Sequence, residues 1–461
     1  MRMLLLCVLT LCLPLVGMAQ QRGQKARKLF PYAYTTDDLP NGLRLVTVPT
    51  DYPNLVALYI VVQAGSRNEV EEGKTGFAHF FEHMMFRGSE HYTSEQRDAI
   101  LKRAGAESNA YTSDDRTVYH ETFAKEDLDE VMKLEADRFM GLKYSLPGYQ
   151  TEAKAVKGEY DKNSANPFSK LYEVLRETAF RTHTYSHTTM GYLKDIDDMP
   201  NQYEYSLEFY KRFYRPEYTT IVLVGDVTQQ QALALTKKYF GEWKRGDYQA
   251  KIPSEPAQTG AREKHIDWPS TTLPIVAVAF RGPAYSDEQK DKAALDLLAQ
   301  VAFGENSEIY QRLVLKEQKV DVFGPDFSNQ MDPELFVVLA RVKDVKDVDY
   351  VRDQILATFK RFTTELIPQS QLDATRSRVR YGLALAMDSS DSIANILAPF
   401  ISLRRTPETI NKYAALADTV TPEDVRQTAA KYFRDDSRTI VTLATKVNTS
   451  ADARQRKEGE N

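Results

Sequence analysis

The chain has 461 residues, 42% of them hydrophobic and 27% charged, with a formal net charge of −5 at neutral pH. That length supports more than one domain with a sizeable core, and the balance is that of a globular protein. The small negative charge, without any basic cluster, argues against a nucleic-acid partner.

Residues 1–19 combine Arg2, an apolar run from Leu4 to Val16 and small residues at Gly17 and Ala19. This is the pattern of a secretory signal peptide cleaved near Ala19, and the run is too short for a membrane span. Lipid anchoring before Cys12 is the alternative, but Thr10 and Leu11 fit its small-residue requirement poorly. Cys7 and Cys12, the only cysteines, both lie in this segment. The mature chain is therefore expected to be exported, to the periplasm or cell envelope or beyond the cell. It should carry no disulfide, thiolate ligand or transmembrane span.

From Leu39 to Trp243 the pattern alternates strands and helices. "GLRLVTVP" and "LVALYIVVQAGS" read as strands, and residues 74–87 and 94–104 as helices. Within the first helix, spacing gathers Phe77, Phe80, Phe81, Met84 and Met85 on one side and His79, Glu82 and His83 on the other. A solvated face is the bland reading, but Thr75, Gly76 and Phe86 complete that side in place of the usual lysines and glutamines. Two imidazoles one turn apart can instead reach one tetrahedral ion, with Glu82 beside it in the order His-x-x-Glu-His. A third ligand is then required.

"SNAYTSDDRTVYHETF" reads as a strand pair broken at Ser113 to Arg116, and helices follow at 126–142, 149–162 and 168–179. Glu152 and Glu159, seven apart, return to one helical stripe with Ala155 and Val156 between them, while Lys154, Lys157 and Asp161 lie opposite. Inward carboxylates are rare unless paired or bound to metal, so this stripe is a salt-bridge face or a ligand face. His183 and His187 are also four apart, but their loop has no apolar stripe or intervening acid, and His91, His120 and His265 read as structural or exposed. A helix near 201–213 and the strand "TTIVLVGDV" complete this half.

Residues 244–260 have the proline, glycine and polar content of a linker. Beyond them the strand–turn–helix order of residues 53–88 recurs over 271–304, with Asp296, Ala299 and Gln300 at the positions of the metal-helix polar residues. The chain thus divides into a domain at 30–243, the linker, and a pseudo-repeat at 261–448 without a metal face. One site per chain follows.

The combined motifs "GFAHFFEHMMFRGS", "GSRNE" at 65–69, "NAYT" at 109–112, "TTIVLVGDV" and the Glu152/Glu159 pair resemble the pitrilysin/insulinase family of zinc metallopeptidases, in its two-domain bacterial and mitochondrial-processing type. That resemblance spans nearly the whole mature chain. It implies an α+β fold of two tandem homologous α/β-sandwich domains, each a mixed, mainly antiparallel sheet with helices packed on it, forming half of a peptidase chamber. It also implies one Zn2+ held by His79, His83 and Glu159, the last 76 residues after His83, with Glu82 as the general base and Glu152 orienting a ligand. The strand with Asn109, Ala110 and Thr112 would pair with peptide substrates. The expected activity is exported endoproteolysis of peptides or unfolded segments; the alternative is a scaffold subunit of the same family.

One departure stands out. Active relatives carry an arginine seven residues after the serine of a Ser-x-Leu-Phe helix start, and a tyrosine seven further on. Counting from Ser307, those positions hold Val314 and Asp321, and Arg312 lies nearby but turned away. The departure implies a heterodimer in which a homologous subunit lacking the zinc motif supplies the Arg-Tyr pair, with a homodimer as the other arrangement.

Overall fold

The computed structural model describes residues 28–446. The signal-peptide reading and both cysteines lie outside the described residues. Two sheets organise the chain. The first contains β1 (Thr35–Asp38), β2 (Arg44–Pro49), β3 (Leu55–Val62), β4 (Glu107–Thr112), β5 (Thr117–Ala124) and β6 (Thr219–Gly225), ordered β1-β2-β6-β3-β5-β4. The second contains β7 (Arg262–Trp268), β8 (Ile275–Arg281), β9 (Val320–Asp326), β10 (Leu335–Val342) and β11 (Arg438–Thr445), ordered β7-β11-β8-β10-β9.

The two orders superimpose once β1 is removed. In each sheet one pair is parallel, β2 with β6 and β7 with β11, and the other pairs are antiparallel. The expected fold class is therefore the observed one, two mixed and mainly antiparallel sheets with helices packed on them. The sequence repeat of strand, turn and helix is β3 followed by α1 (Phe77–Met84), matched by β8 followed by the helix Lys290–Phe303. In that second helix Asp296 accepts from Lys292 and from Tyr413, and Ala299 is buried. No imidazole stands there.

The metal-motif helix is shorter than its periodicity predicts. It starts after Gly76, at φ 88°, and the chain turns again at Gly88, at φ 125°, a backbone that disfavours side chains with a Cβ. Residues 244–260 form no regular element.

The continuous apolar run of β3 reflects cover on both faces. Between α1 and α3 (Leu128–Gly141) the chain forms α2 (Ser94–Arg103). Val56, Leu58, Ile60 and Val62 pack with α1, α3 and α4 (Leu146–Ser164), whereas Ala57, Tyr59 and Val61 pack against Ile393, Ala394, Leu397 and Ile401. The latter belong to the helix Ser390–Arg404, from the far end of the chain. The reciprocal contact is made by α5 (Pro167–Ala179), whose Leu171, Leu175 and Ala179 cover Ile275, Ala277, Val337 and Val441 of the second sheet. Each half lends a helix to the other half's sheet.

Candidate metal centre

The helix α1 buries Phe77, Phe80, Phe81 and Met84 in the first core, Phe77 and Phe81 against Tyr205, Phe209 and Tyr210 of the helix Tyr203–Phe213 and Phe80 against Tyr149 of α4. Its polar stripe meets Glu152 and Glu159 of α4. His79 Nε2 lies 3.6 Å and His83 Nε2 3.3 Å from Glu159 Oε2. The three ligand atoms all lie within 4.8 Å of one another, and among the described residues this is the one such group of His, Cys, Asp or Glu. A tetrahedral ion with bonds of about 2.0–2.1 Å needs ligand atoms roughly 3.3–3.4 Å apart. The two separations to Glu159 suit zinc, and the two imidazoles, within 4.8 Å of each other, can close on it by small side-chain rotations. A nitrogen-nitrogen-oxygen donor set is also a zinc set. Three ligands leave the fourth position open.

His83 Nδ1 donates to Glu152 Oε1 at 2.9 Å, and Arg87 Nε donates to Glu152 Oε2 at 2.5 Å. Glu152 therefore orients His83, a choice the sequence alone leaves open. Burial pushes the Glu152 carboxyl up, but the bonds from His83 and Arg87 outweigh it and leave the pKa below the usual value. The same bond from Glu152 raises His83. His79 goes the other way, to about 4, because burial and then the neighbouring His83 disfavour its charge. A neutral imidazole is the form that binds a metal. Glu159 and Ala155 are more open than a wholly inward stripe would be, since that end of α4 faces the site rather than the core.

Glu82 is half-buried, and Thr112 Oγ1 donates to its Oε2 at 2.6 Å. Burial raises its pKa, opposed by the Thr112 bond. Thr112 and Ala110 project toward α1, whereas Asn109 lies on the opposite face of β4 with Tyr111. The strand itself is the free edge of its sheet. Ser113 N–H donates to Arg116 O at 2.8 Å, which fixes the antiparallel phase: odd-numbered residues bond to β5, and the N–H and C=O groups of Ser108, Ala110 and Thr112 turn outward. Asn109 Oδ1 covers the outward Ala110 N–H at 2.9 Å.

Glu69 has no role in the sequence reading beyond its place in "GSRNE", yet it anchors the metal helix. Its carboxylate accepts the N–H groups of Gly76 (2.8 Å) and Ala78 (2.7 Å) at the start of α1. Burial pushes it up to about 8, while those two bonds pull it down. Only a weak signal could have flagged it, because an acid seven residues before the N-cap Gly76 is not a local capping pattern. The other histidines stay apart from the centre. His183 contacts Asp332 at 3.0 Å, His187 is buried 3.8 Å from Glu69, His120 stacks on Tyr59, and His91 and His265 are exposed.

Residues 44–192 match the family described as insulinase (peptidase family M16), and residues 202–379 match the peptidase M16 inactive domain. The chain belongs to the M16 insulinase-type family. Among its M16 relatives, a zinc protease of Helicobacter pylori, PqqE, is 28% identical over 415 residues, covering 88% of this chain and 91% of that one. The beta subunit of the mitochondrial-processing peptidase of Neurospora crassa is 22% identical over 421 residues, covering 87% and 85%. The crystal structure of a protease from Helicobacter pylori superimposes with a TM-score of 0.83 at 27% identity, over 90% of this chain and 99% of that one. The match to the domain named inactive starts within the first half, taking in β6, and extends over the helix that carries Asp296 in place of the motif.

Replacing Glu152 by Gln should weaken zinc binding about 10- to 100-fold while leaving the fold intact, because His83 would lose a charged acceptor. Metal competition with a chelating dye measures this. Unchanged affinity would remove Glu152 from its orienting role.

Proposed function

We propose that this chain is a zinc-dependent endopeptidase of peptides or unfolded polypeptide segments. The observation that carries this reading is the convergence of His79, His83 and Glu159 beside Glu82 at the free edge of β4. A zinc ion held by the three side chains would supply Lewis acidity to a water molecule and to the scissile carbonyl. Glu82 takes a proton from the attacking water and passes it to the leaving amine, with Thr112 fixing its carboxylate. An extended peptide pairs with the outward backbone groups of Ser108, Ala110 and Thr112 and displaces the Asn109 side chain from the Ala110 N–H. Backbone pairing gives affinity without strict sequence choice.

The chain acts, in this reading, as the metal-bearing subunit of a heterodimer. Val314 packs on the second core, Asp321 pairs with Arg341, and Arg312 donates to Gln354, so none of them stands free to steady a substrate oxyanion. A homologous subunit would supply that donor, as the pairing of subunits implied by a relative named a beta subunit suggests. The apolar leader supports export, checked by intact mass of the native protein in an envelope fraction.

The purified chain should bind about one zinc, lost in His79→Ala/His83→Ala, and should cleave peptides poorly until the partner is added. Full zinc content in the double variant would refute the site. Robust cleavage by the homo-oligomer, unaffected by any partner, would refute the heterodimer. Zinc binding with no cleavage in any combination would favour a metal-binding protein without hydrolytic activity, and the absence of both would favour the scaffold reading.

A further inference from the structure

Between β9 and β10, the loop at residues 327–334 leaves the second sheet and reaches into the first half. Gln330 Nε2 donates to Asp114 Oδ2 at 2.9 Å and Met331 N–H to Asp115 Oδ2 at 2.7 Å, both in the turn that joins β4 to β5. Asp332 Oδ2 accepts from Arg67 Nε at 2.5 Å and from His183 Nε2 at 3.0 Å. We propose that this loop, from the half without the metal motif, is a positioning element of the metal centre, with Asp332 and Gln330 keeping the zinc ligands and Glu82 in register. The proposal rests on the peptidase reading above and adds the residues that align that site.

Transmission runs through residues 65–69. At one end of this segment, Ser66 N–H donates to Ser113 O at 3.4 Å, Arg67 N–H to Asp114 O at 2.8 Å, and Ser66 Oγ to Asp114 Oδ1 at 3.0 Å. A Cβ on Gly65 would lie 2.3 Å from the carbonyl oxygens of Ser113 and Asp114, so backbone meets backbone there. At the other end Glu69 holds the start of α1, and with it His79 and His83. The β4–β5 turn follows Thr112, whose hydroxyl holds Glu82. Ligands and base therefore meet at one junction. The loop grips both sides of it, Arg67 through Asp332 and the β4–β5 turn through Gln330 and Met331.

The junction is also dry. Asp114, Asp115, Arg176, His183 and Gln330 are all buried. Arg176 donates to both Asp114 oxygens, at 3.0 and 2.9 Å, and Tyr185 OH donates to Asp115 at 2.7 Å. A buried polar network of this kind favours the one arrangement that satisfies it, and removing a partner leaves a charge uncompensated. Without Asp332, the ion-pair partner left to Arg67 among the described residues is Asp115, 3.9 Å away. Closing that gap moves one turn against the other. A displacement of about 1 Å at reacting groups costs on the order of 10²-fold in rate.

The test compares Asp332→Ala with Asp332→Asn in the full, zinc-loaded chain. Asn keeps an oxygen that can accept from both Arg67 and His183, whereas Ala keeps none. Both variants should still bind zinc, because the three ligands are untouched. Asp332→Ala should release it to a chelator about tenfold faster, and should lower kcat for a library peptide about tenfold at a KM within about twofold. Asp332→Asn should restore most of both rates. Val425→Ala, buried in the second core on the helix Pro422–Tyr432, is the stability control and should leave both rates near those of the parent chain. Where Asp332→Ala fails to fold, Gln330→Ala, which removes the bond to Asp114, carries the same comparison. Zinc release unchanged in the folded variant, kcat unchanged where the parent chain cleaves, or equal effects in Val425→Ala would overturn the proposal. Zinc release does not depend on hydrolysis, so a parent chain that never cleaves peptides would refute the peptidase reading while release still decides on the loop.

Discussion

Glu82→Gln should retain zinc and the native fold and lose hydrolysis by a factor of about 10² to 10⁴. The amide is nearly isosteric, and Thr112 can still donate to its carbonyl oxygen, so the local hydrogen bond survives. What disappears is the capacity to accept a proton. His79, His83 and Glu159 are untouched, and the metal should remain. Activity is measured with a mixed peptide library, with and without the proposed partner subunit, and metal by elemental analysis of the same sample. Turnover like that of the unmodified protein would take Glu82 out of the proton-transfer role. Loss of zinc together with activity would mean that Glu82 supports the site rather than acting in it.

Leu397→Asp should unfold or severely destabilise the whole chain, by at least about 3 kcal/mol. It places a carboxylate in a fully buried position between the helix Ser390–Arg404 and the first sheet. Leu385→Asp is the matched control, since Leu385 is 60% exposed and should tolerate the charge. The same helix exchange bears on the proposed limits of 30–243 and 261–448. A fragment of residues 28–243 alone would expose Val46, Ala57, Tyr59, Val61 and Val222 on one sheet face, and α5 would lose its partner sheet. It should be insoluble alone and recovered on co-expression with residues 261–446. Chemical denaturation of the point variants, and solubility of the fragments, decide the matter. A stable, monomeric 28–243 fragment would show that the exchange contributes little.

Much of the architecture is legible along the chain because it depends on local periodicity. The short apolar runs of β2, β3 and β6, the break between β4 and β5, and the helices at 94–103, 167–179 and 203–213 all follow from patterns within a few residues. The repeat is legible for the same reason, since β8 and its helix copy the pattern of β3 and α1. The length of α1 is not, because its limits are set by Gly76 and Gly88 at positive φ and by a carboxylate from outside the helix.

The sequence by itself determined that His79, Glu82 and His83 share one helix face, because residues three and four apart on a helix are neighbours whatever surrounds them. It determined likewise that Glu152 and Glu159 share another. Bringing those two faces together needed the packing of α1 on α4, and family resemblance rather than periodicity pointed to it. Only the tertiary structure decided that Glu152 holds His83 and not His79, that Thr112 steadies Glu82, and that Glu69 caps the metal helix. It alone decided that α5 and the helix Ser390–Arg404 change places. α5 is amphipathic and the helix Ser390–Arg404 is apolar around most of its surface, and either pattern records burial without recording against which sheet. That choice rests on shape and contact between segments hundreds of residues apart, which no local pattern encodes.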